Sequence, residues 1–261
     1  MARIRSAKYD EHLTLVEHLD ELRTRVVIAV AAFAIAFGLC FWQNHEILAL
    51  LDNPLPDGRH PVTLGVAEPF MTTITVSAYA ALLVALPIIL YQLYAFVLPA
   101  FSPAERRVAL PLLLLIPTLF VGGVLFGYFL VLDPAVHFLL NFNDTEFNVQ
   151  VQASRYYGFL ITTLIALGLV FQVPMGVVAV TRLGIVTSEQ LSRNRRYAYF
   201  ILAIIAMLLP GTDPVTMLIE LAPLLALFEL SLILARLVGT PAEEPGPGAE
   251  PEPPGTPAGS S

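Results

Sequence analysis

The chain has 261 residues, of which 56% are hydrophobic and only 13% are charged, and its mean hydropathy is positive. This composition argues against a soluble globular protein and indicates an integral membrane protein. The formal net charge of −7 does not by itself indicate a basic partner, because four of the acids lie in the C-terminal tail.

Long uncharged runs recur along the chain, and about 20 apolar helical residues suffice to cross the hydrocarbon of a bilayer. The sequence therefore predicts an all-α membrane protein with six transmembrane helices. The fifth uncharged run has 16 residues, or about 24 Å of helix, so we expect short fifth and sixth spans. The predicted spans are residues 24–43, 70–98, 108–132, 156–181, 197–211 and 214–235.

The distribution of basic residues predicts the orientation of these spans. With the N-terminus inside, 12 of the 14 Lys and Arg residues fall in inner segments, and only Arg59 and Arg155 fall outside. This strong bias predicts that both termini are cytoplasmic. We expect residues 1–237 to form the membrane domain. The Pro/Gly-rich and Glu-rich tail, residues 238–261, is predicted to be disordered.

The stretch HLDELRTR, residues 18–25, directly precedes the first span. Leu15, Leu19, Leu22 and Val26 share one side of a helix, so we expect an amphipathic segment on the inner membrane surface with its acids facing the cytosol. Glu21 stands four residues before Arg25, and the simplest interpretation is a weak ion pair within the helix.

Two outer connections mix apolar and polar residues, and a third is a tight turn. In the first connection, HEILALLDN is predicted to form a short helix that caps the periplasmic side. The second, DPAVHFLLNFNDTEFNVQVQASR, follows the third span. In the turn PGTDP, Asp213 can cap the sixth helix, with Pro214 at its first position.

No motif for catalysis, phosphate binding or metal binding is present, so we expect neither an enzyme nor a cofactor. The inner segment YQLYAFVLPAFSPAERR, residues 91–107, offers a second acid, Glu105. Its simplest interpretation is a capping box with Ser102, with Pro103 at the first helical position.

Several segments together resemble TatC, the core subunit of the twin-arginine protein translocase. They are HLDELRTR, DNPLP, AEPF, YQLYAFVLPAFSPAERR, FQVPM and LLPGTDP, which occur in order within residues 12–237. The resemblance implies that Glu21 and Glu105 bind the consecutive arginines of a signal peptide. A carboxylate matches the planar fork of a guanidinium, which a lysine does not present. Phe96 and Gln92 are further candidates for this site, or else ordinary packing residues.

Polar residues within the spans form a second group of candidates. Glu229 matches a family pattern, whereas Glu220 does not; both acids should avoid lipid. Gln172 stands where the family often has glutamate, and it contacts either a partner span or the protein interior. Asp213 matches an outer acid of the family, or acts only as the helix cap.

The resemblance implies a signal-peptide receptor in the bacterial cytoplasmic membrane that organises the export of folded proteins, driven by the proton motive force. It implies TatA-type and TatB-type single-span partners, twin-arginine signal peptides, surrounding lipid and a homo-oligomer within the complex, and no nucleic acid. The alternative is a secondary transporter of a small solute or ion that uses the acids of helix six. It predicts that loss of Glu220 or Glu229, and not of Glu21 or Glu105, abolishes function.

Overall fold

The structure is a computed structural model. It describes residues 15–56, 59–97, 103–143, 145–146, 149–182, 185–210 and 213–238. Within these ranges, the side chains of residues 15–18, 97, 103–113, 182 and 237–238 are outside the description. The predicted tail also lies outside it, apart from Val238, which ends the last helix.

The described residues are helical, with no strand among them, as predicted. A single parallel bridge pairs Val62 with Gln152. A five-residue π-helix, Gly127–Val131, joins α4 to α5. The helices are α1 Leu15–Trp42, α2 Asn44–Asp52, α3 Glu68–Val97, α4 Pro103–Phe126, α5 Leu132–Asn141, α6 Ala153–Val170, α7 Val173–Arg182, α8 Ser188–Arg193, α9 Arg195–Leu208 and α10 Pro214–Val238.

The first helix is continuous over 28 residues. The described part of the amphipathic segment therefore runs into the first span without a break, and its location on the membrane surface stays a prediction. Leu19 and Val26 are exposed, as are most side chains along α1. The buried contact of α1 is with α3, where Ala36 and Cys40 pack against Ala81 and Ala85. Such small residues let two helix backbones approach closely.

The third span is longer than the sequence predicted. Helix α4, the π-helix and α5 follow one another without interruption from Pro103 to Asn141. The first residues of the predicted second outer loop, from Asp133 to Asn141, are therefore helical. Leu132, Val136 and Leu140 follow one another at intervals of four residues and so share one side of a helix. They explain the difference, because these side chains are buried in one core cluster with α6.

The predicted fourth span is divided into α6 and α7 by a turn at Phe171 and Gln172. Pro174 explains the break, because a proline lacks the amide proton and its ring clashes with the carbonyl four residues earlier. That carbonyl belongs to Val170, the residue at which α6 ends.

The fifth span is short, as expected, and the sixth is not. Helix α9 has 14 residues, about 21 Å, whereas α10 has 25 residues, about 37 Å. Pro210, just after α9, lies beside Thr163, whose hydroxyl is 3.3 Å from the Pro210 carbonyl oxygen. Thr163 is ten residues, about 15 Å, into α6. Pro210 is therefore well short of the level at which α6 starts.

Helices α4 and α6 meet closely through glycines. A Cβ on Gly123 would lie 2.8 Å from the carbonyl oxygen of Leu167, and one on Gly168 would lie 2.6 Å from the ring of Phe120. A Cβ on Gly127 would also meet α6, at 2.8 Å from the side chain of Leu167. The neighbouring Gly122 faces open space.

The two ends of the bundle differ in composition. We call one end of the bundle the cap end. It consists of α2 and the segments 59–67 and 149–152, which lie beside the starts of α3 and α6. The predicted short helix is present here as α2. The hydroxyls of Tyr156 and Tyr157 hold its C-terminal end by donating to the Leu51 carbonyl and the Asp52 carboxylate, both at 2.9 Å.

The opposite end of the bundle carries many arginines. We name it the arginine end; it comprises the start of α1, the end of α3, the start of α4, α8, the start of α9 and the end of α10.

Candidate functional site

At the arginine end, Arg25 joins two of the predicted site residues. Its Nε atom donates to Oε1 of Glu21 at 3.0 Å, and its Nη2 atom donates to the same oxygen. Its Nη1 atom donates to Oε1 of Gln92, on α3, at 3.1 Å. The side chains of Glu21 and Arg25 are 26% and 22% exposed, so this contact is open to exchange with solvent. The structure therefore brings Glu21 and Gln92 together around one guanidinium.

The expected ion pair between Glu21 and Arg25 is present, and the two residues are four apart on α1. An exposed pair at this spacing on a helix stabilises a protein by about 0.3 to 0.5 kcal/mol, and this pair is partly exposed. The contact from Arg25 to Gln92 crosses between two helices, which the sequence did not predict. Because the pair is weak, another guanidinium with better geometry can displace Arg25 from the carboxylate of Glu21.

The other two predicted site residues belong to the same end of the bundle. Phe96 lies one turn after Gln92 on α3 and is half-buried. Helix α4 begins at Pro103, the predicted first helical position. Glu105 therefore lies in the first turn of α4, but its side chain is outside the described residues.

Glu229 belongs to a second polar group at the arginine end. Its Oε1 atom accepts a hydrogen bond from the hydroxyl of Tyr199, and its Oε2 atom lies 3.3 Å from Nη2 of Arg195. Both partners are on α9. The carboxylate thus joins α9 to α10 at the arginine end, and that this acid avoids lipid stays a prediction.

Gln172 lies in the turn between α6 and α7 and is only 7% exposed. Its Nε2 atom donates to the carbonyl oxygen of Ile116, on α4, at 3.2 Å. Its Oε1 atom is buried without a hydrogen-bond partner among the described residues. The glutamine thus makes an internal contact between helices, which a glutamate could reproduce only with its carboxyl group protonated.

Asp213 caps α10, as predicted. Its Oδ1 atom accepts a hydrogen bond from the backbone amide of Thr216 at 2.8 Å, and α10 begins at Pro214. The side chain is buried, so the cap is an internal one. Glu220 follows two turns later and is fully buried.

Two residues escaped the sequence reasoning. Arg25 was seen only as a neutralising neighbour, although it also reaches Gln92. Glu68 was noted only within the AEPF segment. Its carboxylate accepts four hydrogen bonds: from the side chains of Gln152 and Ser154, at 2.8 and 2.7 Å, and from the amides of Leu64 and Gly65, at 2.6 and 3.1 Å. An acid in the first turn of a helix, after a glycine-containing turn, was the available signal.

The family model of TatC, the Sec-independent protein translocase protein, matches residues 17–223 of this chain. The chain belongs to the TatC family. The resemblance seen in its sequence motifs is thereby confirmed.

Individual TatC proteins are similar along most of their length. The TatC of Carboxydothermus hydrogenoformans is 35% identical over 231 residues, which cover 88% of this chain and 95% of that protein. The TatC of Aquifex aeolicus is 33% identical over 230 residues, covering 86% and 95% of the two chains. The chloroplastic TATC of Arabidopsis thaliana is 32% identical, and the match covers 88% of this chain and 68% of that protein.

The fold is also that of TatC. A crystal structure described as the twin arginine translocase receptor TatC in DDM superposes with a TM-score of 0.72 and 33% sequence identity. The superposition covers 84% of this chain and 99% of that one. TatC proteins are components of a protein translocase rather than enzymes, which favours this function over a small-solute transporter.

The TatC chain is embedded in a membrane through several apolar helices. Among its described residues, five helical stretches are long and apolar enough to cross a bilayer. They begin at Leu19, Glu68, Leu114, Ala153 and Pro214. Helix α9 is shorter than these, so the six-span count stays a prediction.

Proposed function

We propose that this protein is the signal-peptide receptor of a twin-arginine translocase and that it binds paired arginines at its arginine end. The observation that carries this proposal is the contact of the Arg25 guanidinium with Glu21 and Gln92. A carboxylate and an amide oxygen that already hold one guanidinium offer the same acceptors to an arginine of a signal peptide.

A second acceptor is needed to read two adjacent arginines, and Glu105 is the proposed one. It lies in the first turn of α4, directly after the connection from α3, which carries Gln92 and Phe96. The helix N-terminus favours an ionised carboxylate at this position. We assign Phe96 to contacts with the apolar part of the peptide next to its arginines.

The arginine end faces the cytoplasm in this proposal, because 12 of the 14 basic residues fall on that side of the predicted spans. Both termini are then cytoplasmic, in a bacterial inner membrane. TatA-type and TatB-type subunits and further copies of this chain complete the complex, and the proton motive force drives export. Gln172, Glu229 and Asp213 belong to the intramembrane polar contacts that support these helices.

Peptide binding tests the proposal directly. The affinities of an Arg-Arg signal peptide and of its Lys-Lys variant are measured for the purified full chain and for Glu21→Ala and Glu105→Ala. A hydrogen bond to a charged group contributes about 1.5 to 3 kcal/mol. Each substitution is therefore expected to weaken Arg-Arg binding about 10- to 100-fold, and to change Lys-Lys binding much less.

Asp20→Ala is the matched control, because Asp20 is an exposed acid directly before Glu21 on α1. Its removal lowers the local negative charge by the same amount and should leave the Arg-Arg preference intact. If Asp20→Ala and Glu21→Ala weakened Arg-Arg peptide binding equally, the effect of Glu21 would be only a general attraction between opposite charges. Equal affinities for the Arg-Arg and Lys-Lys peptides would overturn the receptor function.

A further inference from the structure

Three side chains near the start of α10 combine complete burial with missing hydrogen bonds. Thr216 and Glu220 are each 0% exposed, and Asp213 is 4% exposed. The hydroxyl of Thr216, the Oδ2 atom of Asp213 and both carboxylate oxygens of Glu220 have no hydrogen-bond partner among the described residues. Buried polar atoms are rarely left unsatisfied, so this group of four oxygens needs an explanation.

The three residues share one face of the helix. Thr216 follows Asp213 by three residues and precedes Glu220 by four, which are the spacings of neighbours on a helix surface. Side chains in a helix lean toward its N-terminus, so the Glu220 carboxyl leans toward Thr216 and Asp213. Thr216 stands between the two acids on this face. Its hydroxyl is not hydrogen-bonded to either of them, and a small side-chain rotation would let it accept from one acid while it donates to the other.

Two ionised carboxylates cannot remain buried together without donors. Moving an ionised carboxylate into an apolar interior costs several kcal/mol even after relaxation, and a second negative charge nearby adds to that cost. One proton on the group removes one charge and creates a donor. A protonated Glu220 can donate to the Thr216 hydroxyl, which can donate in turn to Oδ2 of Asp213.

Among the described side chains of α5, the π-helix, α8 and α9, no cation takes the place of that proton. Asp133 and His137 on α5 lie 3.7 Å from each other and their side chains are exposed. Arg195 and Tyr199 on α9 are engaged by Glu229, nine residues or about 13 Å farther along α10. Tyr128 of the π-helix donates to the carbonyl oxygen of Leu50 at the cap end. On α8 and α9, the remaining ionisable residues with described side chains belong to the arginine end: Glu189, Arg193, Arg196 and Tyr197.

We propose that Asp213, Thr216 and Glu220 form a buried proton-binding site in which Glu220 holds the proton. Binding transfers one proton from a hydronium ion to the Glu220 carboxylate and releases one water molecule. The new O–H bond donates toward Thr216, and Asp213 keeps the negative charge. The site stands on burial and helix geometry, and it does not depend on signal-peptide binding.

Infrared spectroscopy of the purified full chain tests the site without any measurement of export. The wild type is expected to show the C=O stretching band of a protonated carboxyl group at neutral pH, and Glu220→Gln should lose this one band. Thr216→Val keeps the acid but removes its hydrogen-bond partner, so it should shift the band and not abolish it. Asp213→Asn should also shift it, so the assignment does not depend on one variant.

Glu229→Gln is the control, because Glu229 is paired with Arg195 and should contribute no such band. Arg-Arg peptide binding by Glu220→Gln should equal that of the wild type, so failure of this site and failure of the receptor function are distinguishable. An unchanged band in Glu220→Gln would overturn the proposal. A band that disappears when sodium replaces choline in the buffer would also overturn it, because the occupant would then be a metal cation.

Discussion

The cap end and the arginine end hold their polar residues in different ways. At the cap end, the carboxylate of Glu68 accepts four hydrogen bonds, and two of these come from residues more than 80 positions later in the chain. At the arginine end, Glu21 pairs with Arg25 four residues away on the same helix, and Arg25 also donates to Gln92 on α3.

This difference indicates that the two ends of the bundle have different roles. Polar groups that are saturated by backbone amides and distant side chains keep two connections in register and are costly to disturb. Half-exposed ion pairs contribute little stability and exchange partners readily. The cap end is therefore suited to hold the helices in place, and the arginine end to accept a charged ligand.

The substitution Glu68→Ala is expected to have the largest effect on stability. It removes the acceptor for two side chains and two amides, and the bridge between Val62 and Gln152 loses its neighbouring support. Thermal unfolding of the purified protein in detergent should show a clear drop in the midpoint. Glu46→Ala, at an exposed acid in the first turn of α2, is the control and should change the midpoint little. Equal midpoints for the two variants would contradict the anchoring role.

The substitution Gly123→Ala tests whether the close contact of α4 with α6, between the two ends of the bundle, also stabilises the fold. The new Cβ would meet the Leu167 carbonyl at 2.8 Å, and backbone cannot move aside cheaply. Overpacking of this kind costs about 1 to 3 kcal/mol. Gly122→Ala, where the Cβ meets open space, should leave the thermal midpoint unchanged or slightly higher. A neutral Gly123→Ala would show that the two helices can separate freely.

The substitution Tyr156→Phe measures how much a single buried hydrogen bond of the cap end contributes to stability. The hydroxyl donates to the Leu51 carbonyl in a buried position, and its loss leaves that carbonyl without this donor. We expect a destabilisation of about 1 kcal/mol in chemical unfolding. Tyr79→Phe, at an exposed tyrosine of α3, should be neutral.

The substitution Arg25→Gln should have the smallest effect on stability, at most about 0.5 kcal/mol. Its effect on binding is the informative one. Removal of the internal guanidinium takes away one competitor for the oxygens of Glu21 and Gln92, so an Arg-Arg peptide should bind a few-fold more tightly. Arg23→Gln, at an exposed arginine of the same helix, should not tighten binding. Weaker binding by Arg25→Gln would show instead that Arg25 orients Glu21 for the ligand.

The sequence predicted much of the helical architecture for local reasons. Apolar runs located the long helices, and Asp213 with Pro214 located the start of α10, because a cap and a first-turn proline act within one turn. The predictions failed where packing overrode local signals. Leu132, Val136 and Leu140 continue the third helix into a predicted loop because their side chains are buried against α6.

The sequence by itself determined the family, the helical membrane class and the acids that were worth considering, because hydropathy, charge bias and short motifs are properties of neighbouring residues. Only the tertiary structure decided that Arg25 joins Glu21 to Gln92, that Glu68 ties two connections together, and that Glu220 is buried without a described partner. These facts depend on contacts between residues dozens of positions apart, or on which face of a helix is covered. Such contacts arise only when the helices pack.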